Sequence, residues 1–310
     1  MAAAAVSSRH GLALLLGTTG VVAFSVTLPA TRAAVPYLGG TFVGLGRAVV
    51  AAVLAAIVLA VMRERLPERR HWGGLAVVAL GVVVGFPLLS AIALQSLPSA
   101  HSAVVIGLLP AATAVMAVLR AHERPSLTFW AGCTAGVVAV LIFAAVQGAG
   151  RPRPGDALLL GAVVLGALGY AEGGRISREI GGWRVISWAL ILSAPLLVVP
   201  TAIAARDIAA PVPAAAWLGF AYVSAISMYL GFFAWYRGLA LGGVARIGQI
   251  QLIQPVLTLV WSVLLLGEHV NALTVVAALL VLASAAVAQR TRAGDQSGGS
   301  PSSSRSATIS

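Results

Sequence analysis

Ten stretches of this chain, at roughly 11–31, 38–62, 73–95, 98–119, 126–149, 157–174, 185–205, 212–236, 243–266 and 270–289, stay apolar over 18 to 25 residues. A helix rises 1.5 Å per residue, so each reaches across a hydrocarbon core of about 30 Å. No water is available there to pair with backbone N–H and C=O groups, which leaves helices or closed barrels as the spanning structures. A barrel would show ten-residue strands of alternating polarity, and the sequence has none. Charged residues make up 9% of the 310, against about 25% in soluble domains. The chain reads as an all-α polytopic membrane protein with ten transmembrane helices. The turn Gln95-Ser96-Leu97-Pro98-Ser99 divides the third span from the fourth. The first run, of 21 residues, is longer than a signal-peptide core, so it reads as a span.

A net charge of +11 would suggest nucleic acid as partner of a soluble protein. Here all twenty basic residues are arginines, and most sit in short turns between apolar runs. With the amino terminus in the cytoplasm, fifteen arginines fall inside and four outside (Arg32, Arg151, Arg153 and Arg206), with Arg47 within the second span. This is the positive-inside distribution, so both termini are expected in the cytoplasm of a multi-pass protein of the cytoplasmic (inner) membrane. The partner is the lipid bilayer, not nucleic acid.

The sequence also repeats itself. Leu94–Glu123 is echoed 145 positions later by Leu239–Glu268, with Leu94 on Leu239, Ala100 on Ala245, Pro110 on Pro255 and Glu123 on Glu268. Each copy carries a proline inside an apolar run and an acid thirteen residues later. Five spans separate equivalent positions. An odd number inverts one half against the other, so the expected build is two inverted five-helix repeats (5+5), as in many secondary transporters. The expected organisation is a cytoplasmic segment 1–10, a first repeat 11–149, an external linker 150–156, a second repeat 157–289 and a disordered Ser/Gly-rich tail 290–310.

Two five-span halves, marked by Pro110…Glu123 and Pro255…Glu268, resemble the EamA-type members of the drug/metabolite transporter (DMT) superfamily. The resemblance covers about residues 11–289. It implies a ten-helix exporter-like carrier, working by alternating access without ATP, with a central cavity built from the earlier helices of each half. One departure stands out: Arg120-Ala121-His122-Glu123 is more polar than Leu265-Leu266-Gly267-Glu268.

A carrier needs a few polar side chains facing a wet cavity, since polar groups facing lipid are costly. The eighth and ninth segments are the richest source. Ser224, Ser227 and Tyr229 lie on the eighth, and Gln249, Gln251 and Gln254 precede Pro255 on the ninth. Gln251 and Gln254 share a helix face, whereas Gln249 points elsewhere. Pro255 has no N–H, which is expected to free a carbonyl near Gln251 for solute or water. The same glutamines could instead bond helix to helix. Trp235 and Tyr236 read as an interfacial belt more readily than as a solute platform. Tyr170, Thr18, Thr19 and Ser25 are further cavity candidates.

Glu172 is the one acid well inside an apolar run. A carboxylate so placed could carry a proton as a carrier cycles; the plainer reading is an i,i+3 pair with Arg175 near the cytoplasmic end. Arg47 could bind an anionic group, although pairing with another helix or snorkelling is the commoner fate of such a residue. His101 reads as an interface residue.

Other classes find little support. No Gly-x-x-x-x-Gly-Lys loop is present, so no ATP motor resides here. The five histidines are scattered and Cys133 has no partner, so no metal or other cofactor is expected. A membrane enzyme would group nucleophiles, acids and bases at one face, and a channel would show charged rings or filter loops. The Gly81–Gly85 and Gly132–Gly136 small-xxx-small patterns would allow a homodimer. The expected function is a secondary transporter that exports or exchanges a small organic solute.

Overall fold

The computed structural model describes residues 2–121 and 153–269, with side chains from residue 10, together with scattered positions between 127 and 138 and between 272 and 280. Every element among the described residues is helical. Eight helices are long and apolar enough to cross a membrane: α1 His10–Leu38, α2 Gly40–Val61, α3 Arg69–Ser96, α4 Ser99–Arg120, α5 Pro154–Ile180, α6 Gly182–Asp207, α7 Ala214–Gly242 and α8 Val244–Leu266. They correspond to the first four and the sixth to ninth apolar segments. The fifth and tenth segments, with Glu123 and Cys133, lie largely or wholly outside the described residues.

Turns between helices are as short as one residue. Gly39 and Gly181 link α1 to α2 and α5 to α6, with φ of 77° and 89°. Glycine takes that left-handed backbone without a Cβ clash, so one residue reverses the chain. In the bundle, α1 packs along the second half of α7, α2 lies against α6, and α5 contacts both α3 and the second half of α4.

Gly81 brings α3 and α5 closest. A Cβ built on it would stand 2.5 Å from the Leu165 carbonyl oxygen and 2.8 Å from Gly169 Cα. Gly85 also faces Leu165. The Gly81–Gly85 pattern is therefore used for packing within the chain, which removes it as an argument for a homodimer; Gly132–Gly136 lies largely outside the described residues.

Six of the eight helices are not regular along their length: α1 is interrupted at Val26, α6 ends in a tight turn over Ala205–Asp207, and four more are deformed where the repeat is. Wider i→i+5 turns occupy Ala79–Gly85 in α3 and Val223–Leu230 in α7. Shifted by 145 positions, the first falls inside the second. In α4 the helix breaks at Gly107 and Leu108, just before Pro110. In α8 it tightens to i→i+3 turns over Gln249–Ile253, just before Pro255. Proline cannot donate to the turn before it, and the backbone adjusts on that side. The repeat read from sequence is thus also a repeat of helix deformations.

Ties between helices stand at both ends. At the arginine-rich end, Arg184 Nη2 donates to Glu64 at 2.6 Å, and the His71 imidazole meets Glu179 at 2.9 Å. At the opposite end, Arg32 donates to the carbonyls of Leu94 (2.6 Å) and Gln95 (3.2 Å), and His101 meets Asp156 at 2.7 Å.

Glu268 stands just beyond α8 and has a defined task at this second end. Its carboxylate accepts hydrogen bonds from the Ser99 and Ala100 amides at 3.1 and 3.0 Å, and Ser99 Oγ meets Ser262 Oγ at 2.8 Å. The first amides of a helix have no partner in their own helix, and an anion there is favoured by the helix dipole. The acid thirteen residues after Pro255 thus caps α4 and fastens it to α8. Glu268→Ala is expected to cost roughly 1–2 kcal/mol. Thermal unfolding in detergent would read this as a lower Tm; an unchanged Tm would show that the cap carries no stability.

Candidate functional site

The deformed helices converge on the middle of the bundle. Pro110 and Pro255 line one cavity together with Leu28, Ile106, Leu109, Gln251, Gln254 and Thr258. A second cavity adjoins it, sharing Leu28 and Gln254, and is walled by Phe24, Thr27, Arg47, Val82, Phe86, Tyr170, Ser227, Met228 and Phe232. Several walls are repeat-equivalent: the 145-residue shift places Val82 on Ser227, Ile106 on Gln251, Leu109 on Gln254 and Pro110 on Pro255. The first half supplies apolar groups where the second supplies polar ones.

The two spaces leave about 10 and 20 Å³ for the centre of a water molecule. That is room for single waters, and not for a metabolite. With helices tied at both ends, the site is closed.

The polar groups of the second cavity are sparsely paired. Thr27 Oγ1 and Ser227 Oγ share a hydrogen bond of 2.7 Å, joining α1 to α7. Arg47 is 1% exposed, and its Nε and Nη1 have no hydrogen-bond partner. The Gln251 amide nitrogen and oxygen and the Gln254 amide oxygen are also buried without partners. Tyr170 and Gln251 approach each other but fall short of hydrogen-bond geometry. Buried polar groups in folded proteins are nearly always satisfied. A cluster of unpaired ones around a small cavity is what a site for a polar solute requires.

Aromatic rings form the apolar wall. Phe24 and Phe232 lie 5.0 Å apart between centroids, and Tyr170 and Trp235 lie 5.4 Å apart edge to face.

Several residues singled out from sequence stand elsewhere. Thr18 and Thr19 are exposed on the outside of α1, and Thr19 Oγ1 donates back to the Leu15 carbonyl at 2.9 Å. A threonine satisfied one turn back can face lipid, so neither is a cavity group. Ser25 is buried but committed: its Oγ donates to Val22 O at 2.7 Å and accepts from Trp261 Nε1 at 3.0 Å. Ser224 Oγ donates to Phe220 O at 2.6 Å, and the Tyr229 hydroxyl pairs with Ser187 at 3.0 Å. Ser25 and Tyr229 join helices, Ser224 turns back on its own, and none of the three lines either cavity. Gln249 donates to the Pro110 carbonyl at 3.5 Å, a contact between α8 and α4.

Trp235 and Tyr236 are fully buried, so they are core residues and not an interfacial belt. Their position on the α7 face that packs on α1 and α5 decides this. The Gln251 carbonyl, expected to be freed by Pro255, accepts the Gln254 N–H because the turn tightens before the proline. Among the described residues Arg47 neither snorkels nor finds a partner helix's carboxylate, contrary to the commoner fate expected for it.

Glu172 meets the plainer of its two readings and more. It is 1% exposed, with Oε1 accepting from Arg175 Nη2 at 2.6 Å and Oε2 from Arg120 Nε at 3.0 Å. Both oxygens are taken, by α5 itself and by α4. Sequence reasoning missed Thr27, Phe24, Phe86 and Met228. Thr27 carried a weak signal as a hydroxyl in an apolar run, and the apolar walls carried none.

Among the described residues no group of three His, Cys, Asp or Glu could hold a metal ion.

Comparison with known proteins agrees with this architecture. Residues 11–145 and 153–289 match the EamA-like transporter family. The chain is 47% identical over 274 residues to an uncharacterised transporter, YdeK, of Bacillus subtilis (strain 168), covering 88% of this chain and 96% of that one. It also shares its fold with a protein of known crystal structure, at a TM-score of 0.67 and 19% identity, over 89% of this chain and 97% of the other. Two matched segments covering most of the chain, and a relative this close over its whole length, settle the grouping: the chain is a multi-pass membrane protein that belongs to the EamA-like transporter family.

Proposed function

We propose that this chain is a secondary carrier of the cytoplasmic membrane, moving a small organic metabolite by alternating access. In this reading ten helices form two inverted five-helix halves, at 11–149 and 157–289, and both termini lie in the cytoplasm. The observation that carries it is the meeting of Pro110 and Pro255 at one closed, partly polar cavity. Proline-interrupted spans from the two halves are where inverted-repeat carriers place their solute, near the bilayer midplane. The loosened turns at Ala79–Gly85 and Val223–Leu230 border the same place, and such turns tend to mark functional sites. Gln251, Gln254, Tyr170 and Ser227 are the proposed solute contacts. Net efflux is the expected direction in the cell.

Glu172 is better placed as a brace than as a proton carrier, since protonation would have to displace two guanidiniums in every cycle. The test is flux into liposomes that hold the purified protein and a panel of amino acids, drugs and metabolites, without ATP. Saturable uptake is expected, with KM raised roughly 3- to 10-fold by Gln254→Leu, the loss of about one hydrogen bond. A protein that passes none of the panel, or one whose flux does not saturate, would count against a carrier.

A further inference from the structure

Arg47 lies seven residues into α2, about 10 Å below the end of that helix, and is buried in the wall of the central cavity. An uncompensated buried charge is expensive and is retained where something pairs with it. The described acids are all engaged or distant. Glu68 meets Arg70, Glu64 meets Arg184, Asp156 meets His101, Glu179 meets His71, Glu172 holds Arg120 and Arg175, and Glu268 caps α4. Asp207 lies exposed in an outer groove with Gly39, Gln95 and Pro200. Among the described residues the charged group facing the cavity is therefore a cation, and no acid lines either space.

From this we infer that the carried solute is a small organic carboxylate with an apolar body, its carboxylate held by the Arg47 guanidinium. The guanidinium presents Nε and Nη1 without partners; they lie on different edges of the planar fork, and a carboxylate at either edge accepts a charge-assisted hydrogen bond. Thr27, Ser227 and Tyr170 border the same space and can complete its shell of donors. The rings of Phe24, Phe86 and Phe232 form the opposite requirement, an apolar wall. The neighbouring cavity adjoins at Gln254, and the body of the solute extends toward it when the helices part and the closed site widens. An amine without a carboxylate would bring a second positive charge beside Arg47 and is excluded.

This assignment rests on the carrier reading, and binding separates the two. The probes are 3-phenylpropanoate, phenethylamine and L-phenylalanine, with branched monocarboxylates beside them, titrated calorimetrically into purified full-length protein at millimolar concentrations. Carboxylates are expected to bind saturably and phenethylamine not at all. Arg47→Gln should weaken carboxylate binding roughly 10- to 100-fold, and Arg47→Lys less, as charge-assisted hydrogen bonds are lost or reduced. Without ligand, Arg47→Gln should melt no lower than wild type, because it removes a charge that pairs with nothing. A structural ion pair would give the reverse. If the variant does not fold, the acid-against-amine preference of the wild type decides.

Binding of amines as tight as that of acids, no carboxylate binding at all, or affinity within twofold in Arg47→Gln would overturn the assignment. Carboxylate binding without flux would uphold the site and sink the carrier reading. Flux of amines with no carboxylate bound would do the opposite.

Discussion

Gly81→Val is expected to prevent assembly of the bundle. A Cβ at that position meets backbone, at 2.5 Å from Leu165 O and 2.8 Å from Gly169 N and Cα, and backbone within a helix cannot rotate aside. The reciprocal face is as tight, because a Cβ on Gly169 would stand 2.7 Å from Val82 Cγ1. Relief requires α3 and α5 to separate along their contact. Those helices carry Val82, Phe86 and Tyr170 into the cavity, so packing and site fail together. In lipid, helix association depends on such close approach, since burial from water contributes little. Overpacking usually costs about 1–3 kcal/mol, and a branched side chain against two backbones belongs at or beyond the top of that range. The measure is the yield of monodisperse protein and its Tm in detergent. Gly73→Val is the control, because nothing lies within 4 Å of a Cβ there. A Gly81→Val protein that melts with its control would contradict the packing described.

Glu172→Ala is the second large effect expected. The carboxylate is 1% exposed, whereas Arg120 and Arg175 are 41% and 39% exposed. Removing it leaves two guanidiniums of the same sign near each other, on α4 and α5, with only part of their charge in water. Breaking one partner of a fully buried pair costs about 3–5 kcal/mol, and partial exposure of the arginines brings the expectation to about 2–3 kcal/mol. Glu179→Ala, at 40% exposure, should cost less than about 1 kcal/mol. Paired thermal melts would show the difference. A brace and a proton carrier also differ in kinetics. Loss of a brace lowers counterflow and gradient-driven uptake together, while loss of a proton carrier abolishes only the second. Retained counterflow with abolished gradient response in Glu172→Gln would return Glu172 to the coupling role.

Much of the fold was legible because lipid enforces a simple rule. Backbone must close its own hydrogen bonds, so length and apolarity locate α1 to α8, although α1, α5 and α7 run six or seven residues past the ends expected for them. The repeat was legible for a similar reason, as Pro110 and Pro255 leave a mark in sequence and in helix geometry alike. The site was harder to read. Gln251, Gln254, Ser227 and Tyr170 line the candidate cavity, but Ser25, Ser224 and Tyr229 look the same in sequence and are bonded elsewhere. Which hydroxyl turns back on its own helix depends on rotamer and neighbour, and neither is written in composition. Arg47 was left between two readings for a related reason. Its fate depended on where the nine acids of the chain fall in space.

Under the proposed carrier cycle the deformed helices would move in a definite way. If α4 and α8 hinge at their prolines, the tie of Glu268 to Ser99 and Ala100 must break when one end opens. The ties among Arg120, Glu172 and Arg175 must then hold at the other. Spin labels would test this, in a background where Cys133 is replaced, at Ser96 and Leu265 across one end and at Leu119 and Leu241 across the other. All four are exposed side chains. Pulsed distance measurements in lipid nanodiscs should show two populations at each end, with one pair lengthening as the other shortens when solute is added. Both pairs lengthening together would describe a channel, and distances unmoved by any solute would contradict alternating access through this cavity.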